Sequence, residues 1–240
     1  MSEEPPTPRD AAYWAHQPDT LKVGALPPEA VNRNVDGRRV VGPLQGFGQL
    51  WQKTYRVALA GCAATPEDVI ATWKARFAEF QPPQNRFYPS LAGVAPGEVV
   101  LINAAMPGVA LQTGVMVLYA DDLSFTLMTP EGHPESGWVT FSAWREDDTT
   151  LAQVQSMARA NDPLYELGFL LGGAAAQEAI WRHVLTSLAA HHAVVGAPVV
   201  FTRQCVDTRL QWNQVRNIWH NAAIRSALHG LGHPFRRRTR

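Results

Sequence analysis

The sequence predicts an α+β domain: an antiparallel sheet covered on one face by a long helix close to the C-terminus. Five strand-like runs follow one another between Glu98 and Ala160, separated only by turn-forming residues. A helical period takes over at Asp162-Pro163 and holds to about Val194. The chain has 240 residues, 46% apolar and 18% charged, which is enough to bury a core without disulfides or metals.

Residues 1–38 read as an arm. Pro5, Pro6, Pro8, Pro18, Pro27 and Pro28 interrupt any helical pattern, and Tyr13 and Trp14 are the large apolar groups that would anchor the arm to a body. Residues 53–60 have the composition of a strand. Thr65-Pro66-Glu67-Asp68 is a helix start, with a Thr cap, Pro in the first turn and two acids at the positive end of the dipole. That helix is predicted to run to about Phe80, with Val69, Ile70, Trp73, Phe77 and Phe80 as its apolar stripe, and Pro82-Pro83 stops it. The long connection to Gly97 is either a lid or a short additional helix.

The five runs are 98–106, 110–120, 124–129, 138–145 and 151–160, giving six strands in all. Met106-Pro107-Gly108, Asp121-Asp122, the octet 130–137 and Glu146-Asp147-Asp148 separate them. Short links of this kind join antiparallel neighbours, whereas parallel pairs need crossover helices that are missing here. In the helix over 163–194, Leu164, Leu167, Leu171, Ile180, Trp181, Val184, Leu185 and Leu188 make a broad apolar face that needs a sheet to lie on. Gly168 and Gly172-Gly173 within it signal close approach of another element or a break. A last amphipathic helix is predicted over 207–228, with Trp212, Val215, Ile218, Trp219 and Ala222 on its apolar side.

Lys+Arg and Asp+Glu both number 21, so the formal charge is zero. The balance is uneven along the chain, since residues 195–240 hold eight arginines against the single Asp207. Such a segment lies on an acidic body or a second subunit, the blander use, or visits a membrane surface or nucleic acid; nucleic acid is the disfavoured partner and a homodimer is admitted. No run of 18 apolar residues exists, so no membrane span is expected, and the charges at Glu3, Glu4, Arg9 and Asp10 argue against a secretory leader. A cytoplasmic location follows as an expectation. Cys62 and Cys205 are too few for a disulfide framework or a cysteine zinc site.

Phosphate-loop, dinucleotide, His-Glu-x-x-His and Gly-x-Ser-x-Gly patterns are all missing, and no cofactor is predicted. His183, His191 and His192 lack the three- or four-residue spacing of a helical metal pair, and no metal is predicted. His133 lies between Glu131 and Glu135, the ingredients of acid-base chemistry, yet its Gly and Pro neighbours favour a role in pinning the turn, with ligand contact as a further use. Tyr119, Phe125, Met128, Trp138, Phe141 and Trp144 exceed what a thin sheet exposes comfortably. On one strand Trp138, Thr140, Ser142 and Trp144 share a face, a mixture of aromatic and hydroxyl groups suited to a cavity wall, with Val139, Phe141 and Ala143 on the other. The competing reading is a packed core plus a subunit interface. The candidate ligand-binding set is Tyr119, Phe125, Met128, His133, Trp138, Thr140, Trp144, Leu167 and Trp181; no residue is assigned as catalytic.

The element order over residues 39–194 resembles the helix-grip fold of the START-like (SRPBCC) superfamily. SFTLMTPEGHPESGWVTFSAW, residues 124–144, and RANDPLYELGFLLGG, residues 159–173, are similar to segments of an uncharacterised bacterial branch of it. The resemblance implies a curved antiparallel sheet wrapped around a long C-terminal helix, to which the amphipathic spacing over 207–228 adds a basic helical extension over 195–240. It further implies binding of a small hydrophobic ligand between sheet and helix; the leading reading of the fold order and the mixed aromatic and hydroxyl wall is a non-catalytic carrier or sensor of a hydrophobic or amphipathic, lipid-like molecule. Two departures stand out: six strands are read where seven are usual, and nothing in the superfamily corresponds to the segment after Val194. The alternatives are an enzyme on the same scaffold, a lyase, cyclase or hydrolase drawing on His133, Glu131 or Tyr119, and a protein-interaction module.

Overall fold

The computed structural model describes residues 11–16, 20–25, 27–106 and 109–232. Pro5, Pro6, Pro8 and Pro18, the turn at Pro107-Gly108 and the basic stretch 235–240 lie outside these. Eight strands form one antiparallel sheet: β1 (Leu50–Leu59), β2 (Asn85–Tyr88), β3 (Val99–Met106), β4 (Val109–Ala120), β5 (Ser124–Met128), β6 (Glu135–Glu146), β7 (Thr149–Ala160) and β8 (Val200–Asp207). Their spatial order is β2-β3-β4-β5-β6-β7-β1-β8. The meander β3 to β7 follows the five predicted runs, and β1 closes on β7 with Tyr55 opposite Val154. The helices are α1 (Pro66–Ala75), α2 (Pro163–Gly168), α3 (Ala174–His191) and α4 (Ala222–Gly232). With α1 and α3 on the concave face, this is a helix-grip arrangement.

Thr65 starts α1 through a reciprocal cap, its hydroxyl accepting from the Asp68 N–H (3.2 Å) while the Asp68 carboxylate accepts from the Thr65 N–H (3.0 Å). The helix stops at Ala75, short of the predicted Phe80. Bonds from Glu79 N–H to the Arg76 carbonyl and from Gln81 N–H to the Ala78 carbonyl tighten the chain there. Three-residue turns eclipse positions three apart, which puts Phe77 and Phe80 into the core together.

The core lies between sheet and helices. Trp73 and Phe77 of the α1 region meet Phe125 of β5 and Phe141 of β6, and Trp181, Val184, Leu185 and Leu188 of α3 close over them. Phe125 and Phe141 stack at 4.6 Å, and Trp181 meets Phe141 edge-on at 5.7 Å. Aromatic side chains therefore fill the space beneath α3, where an enclosed chamber was expected. The parity of β6 decides which residues do this: Phe141 and Ala143 are buried, whereas Trp138, Thr140 and Trp144 lie on the opposite, outer face.

On part of that outer face the first residues serve as a cover. Leu21 and Val35 pack on Val99, Leu101 and Met116, and Trp14 lies 4.7 Å from the Tyr119 ring. The segment after Val194 also departs from expectation. Its first part, read as extension, is strand β8, which pairs with β1 through Phe201 opposite Tyr55. The single helix predicted over 207–228 is two pieces, a 3-10 helix Trp212–His220 and α4, because Asn221 between them leaves helical geometry (φ −49°, ψ 115°) and caps α4, its Oδ1 accepting from the Ile224 N–H at 3.0 Å while its Nδ2 donates to the buried Asp162 carboxylate at 2.8 Å.

Phe141→Ala should destabilise the protein by about 3–5 kcal/mol, as large aromatic truncations in packed cores do. Trp138→Ala, three residues away on the other face, should cost about 1 kcal/mol or less. Urea unfolding of both variants checks the assignment of faces; equal losses would contradict it.

Candidate functional site

The predicted helix over 163–194 breaks at Phe169–Gly173, a single π-type turn in which Leu171 leaves helical geometry and Gly172 has φ of +118°. Glycine reaches that region without steric cost, and a residue with a Cβ does not. Between this break and the sheet lies a cleft of about 400 Å³. Trp51, Lys53 and Tyr55 of β1, Phe201 and Arg203 of β8, Phe169 and Leu170 of the break and Ala174 of α3 line it, among others. The parity of β1 that gives Tyr55, Val57 and Leu59 to the core gives Trp51 and Lys53 to the cleft. The cleft is the open end of the concave face.

Its charged groups are tied together. Lys53 Nζ donates to Gln177 Oε1 at 2.5 Å and lies 3.6 Å from Glu135 Oε1, while Gln177 Nε2 donates to Glu135 Oε2 at 2.7 Å. The Lys53 and Glu135 side chains are only 13% and 14% exposed, so each compensates the other's loss of water. Phe169 packs beside Lys53 Nζ, 5.5 Å from ring centroid to nitrogen. Tyr55 stacks on Phe201 at 4.6 Å. Burial, with Glu178 and Glu135 nearby, holds the Tyr55 hydroxyl in its protonated form well above the usual phenol range. Burial likewise raises the Glu166 carboxyl on the cleft wall, opposed by the Gln49 N–H and by Arg159 and Lys53. Donors and acceptors thus sit among apolar walls, an arrangement suited to a molecule with one polar end.

A second pocket of about 640 Å³ lies where residues 39–45, the turn at Glu131-Gly132 and the Trp212–His220 helix meet. Several of its polar groups already satisfy one another: Arg39 pairs with Glu131, and Asn217 Nδ2 donates to the carbonyls of Gln45 (2.6 Å) and Asn161 (2.8 Å).

The nine predicted ligand-binding residues do not converge. Phe125 and Trp181 are core, and Tyr119 is buried on the outer face beneath Trp14. Trp138, Thr140 and Trp144 also face outward, with Thr140 hydrogen-bonded to Thr126 at 2.9 Å and Arg56 set over the Trp144 ring. Leu167 is exposed on α2, and Met128 lines the second pocket. His133 pins its turn, Nδ1 accepting from the Glu135 N–H at 3.0 Å, and its flanking acids diverge, Glu131 to the second pocket and Glu135 to the cleft. None of the nine lines the cleft. Its own residues come from distant segments, and the one sequence signal for it was the glycine pair that breaks the helix. Among the described residues no three His, Cys, Asp or Glu side chains converge, and no helix is long and apolar enough to cross a membrane.

A family model described as a domain of unknown function (DUF1990) matches residues 52–187. No curated protein matches the chain. Solved structures with a similar fold include Ara h 8.0201, 11% identical, covering 60% of this chain and 98% of that one with a TM-score of 0.40. The di-domain ARO/CYC StfQ from the steffimycin biosynthetic pathway is 11% identical over 60% of this chain and 51% of its own, with a TM-score of 0.45. Major latex-like protein 151 from Panax ginseng is 16% identical over 60% and 99%, with a TM-score of 0.36.

Burial holds the His133 imidazole below the usual histidine range, with Glu135 opposing. The unfolded chain then takes the proton first as pH falls through about 6.5, so this residue contributes stability at pH 7 that is lost toward pH 5. His133→Asn keeps a side-chain acceptor for the Glu135 N–H and removes the titration. The urea midpoint of the variant should fall less between pH 7 and 5 than that of the wild type; His192, also shifted down by burial, retains part of the dependence.

Proposed function

The chain belongs to the DUF1990 family, and from that premise we propose that it is a START-like protein that holds a small amphipathic, lipid-like molecule in the cleft between the sheet and the helix break, without transforming it. The observation that carries this reading is the composition of the cleft. Trp51, Phe169, Leu170 and Phe201 give an apolar wall for a chain or ring, and the Lys53, Gln177 and Glu135 cluster with the Tyr55 hydroxyl gives a polar end. The ammonium of Lys53 carries three protons, and the Gln177 bond together with the Glu135 pair leaves one for a ligand oxygen. The enzyme alternative built on His133, Glu131 and Tyr119 does not use this cleft, since all three lie outside it; an enzyme acting there would draw on Glu135, Glu166 or Glu178 instead.

Native mass spectrometry of the purified protein should reveal a copurified amphipathic molecule. Ala174→Phe, which adds a ring inside the cleft, should weaken binding of a fluorescent fatty acid by about tenfold or more, about 1.4 kcal/mol, with no change in the circular dichroism spectrum. Equal binding by wild type and variant would remove the cleft as the site.

A further inference from the structure

The Trp212–His220 helix is mounted with its polar side inward. In a 3-10 helix residues three apart eclipse, so the side chains form rows along the axis. One row, Gln211, Gln214, Asn217 and His220, faces the body: Asn217 bonds the carbonyls of Gln45 and Asn161, His220 Nδ1 lies 2.9 Å from an Arg38 guanidinium nitrogen, and the Gln211 N–H donates to the Phe47 carbonyl at 2.7 Å. The other rows are the more exposed ones: Trp212 is 68% exposed, although its ring meets the buried Phe47 edge-on at 5.2 Å, Trp219 is 77% exposed, Val215 and Arg216 lie between them, and Ile218 is half-buried. An amphipathic helix on a protein surface ordinarily does the reverse. α2 packs against this helix, and beyond its exposed Leu164 and Leu167 the break presents Leu170 and Leu171, 76% and 79% exposed. Large apolar side chains collected in this way mark a surface that meets a partner.

We propose that this partner is an anionic lipid bilayer, with Trp212, Trp219, Leu170 and Leu171 entering the interface and arginines meeting the headgroups. Charge selects it. Residues 208–232 contain Arg209, Arg216 and Arg225 and no Asp or Glu, Arg209 being paired with Asp207 just before them, and the sequence beyond adds Arg236, Arg237, Arg238 and Arg240. Arg216 makes no ion pair with any described residue. Tryptophan suits the headgroup level, leucine the acyl boundary beneath it, and each basic residue near an anionic surface adds attraction. A second copy fits less well, because a two-fold interface sets the same patch against itself and would bring arginines together, while the acid next to them in sequence, Asp207, is already engaged by Arg209 and Arg159. Nucleic acid would use the aromatic rings and arginines but has no use for four exposed leucines. Leu170 also lines the cleft, so a docked protein would turn the cleft mouth to the bilayer. The docking surface itself stands on exposure and charge, whatever the cleft holds.

Sedimentation of the full chain with vesicles tests this, using phosphatidylcholine alone and an equimolar mixture of phosphatidylcholine and phosphatidylglycerol. The wild type should pellet with the mixture and much less with phosphatidylcholine, and added salt should release it. The double variant Trp212→Ser/Trp219→Ser and the single variant Leu171→Ser should lower the partition constant, the former by about tenfold or more, with wild-type circular dichroism. The double variant should still bind the fluorescent fatty acid, which separates loss of docking from loss of the cleft. Failure of the wild type to pellet with the anionic mixture, or variants that pellet equally well, would overturn the proposal. So would unbound vesicles together with a dimer, or a duplex DNA shift, that the same variants abolish.

Discussion

Gly172 holds a backbone conformation that a side chain would resist, and the break it permits separates a helix that covers the core from a turn that does not. Had the helical stripe run unbroken from Leu164 to Leu188, its apolar face would have lain on the sheet throughout. Instead α3 keeps Trp181, Val184, Leu185 and Leu188 on the core, while Leu170 and Leu171 leave it. The exposed side chains and the open end of the concave face are therefore two results of one backbone choice. Gly48 meets the same region from the other side: a Cβ there would fall 2.8 Å from the Ala160 Cβ and would displace the Glu166 carboxylate, so a side chain at this position would have to push on the end of β7.

Two buried charges hold the later part of the chain to the sheet. Asp162 is fully buried, and it accepts from the N–H groups of Leu164 and Tyr165, which starts α2, and from Asn221, which ends the 3-10 helix. Burial raises its pKa and these three donors oppose the rise. Arg159, equally buried, donates to the carbonyls of Gly48 (2.7 Å) and Arg209 (2.8 Å) and pairs with Asp207 at 2.5 Å. Arg209 and then Arg159 hold the Asp207 carboxyl far below the usual range. Each of these two buried charges is answered, in part by residues far along the chain, Asn221 for Asp162 and Asp207 for Arg159.

The meander was legible because its strands are long and their turns are spelled in Pro, Gly and Asp. β2 was not, being four residues inside a connection rich in Pro, and β8 was hidden because Val200–Asp207 mixes apolar with polar residues at the head of a basic segment. The break at Gly172-Gly173 was visible as one of two readings. The site was mostly illegible. Alternation divides β6 into two faces without saying which is inner, so the mixed face of Trp138, Thr140 and Trp144 reads equally well as a cavity wall or as the outer face of a packed core. The discriminating signal was present in the neighbouring strands, where Phe125 and Leu127, Phe141 and Ala143, and Ala152 and Val154 form an unbroken apolar parity that only a core can use. Lys53, Gln177 and Glu135 carry no such mark, since they meet only after β1, α3 and β6 assemble.

The boundaries of the family match and those of the folded body differ. A recombinant fragment spanning residues 52–187 would keep Arg159 and Asp162 but lose Asp207 and Asn221, stripping an interior guanidinium and an interior carboxylate of their partners and leaving β1 with a bare edge. The residues that set this chain apart from its family's matched stretch are therefore structural members of the same body, supplying β8 and the partners of both buried charges.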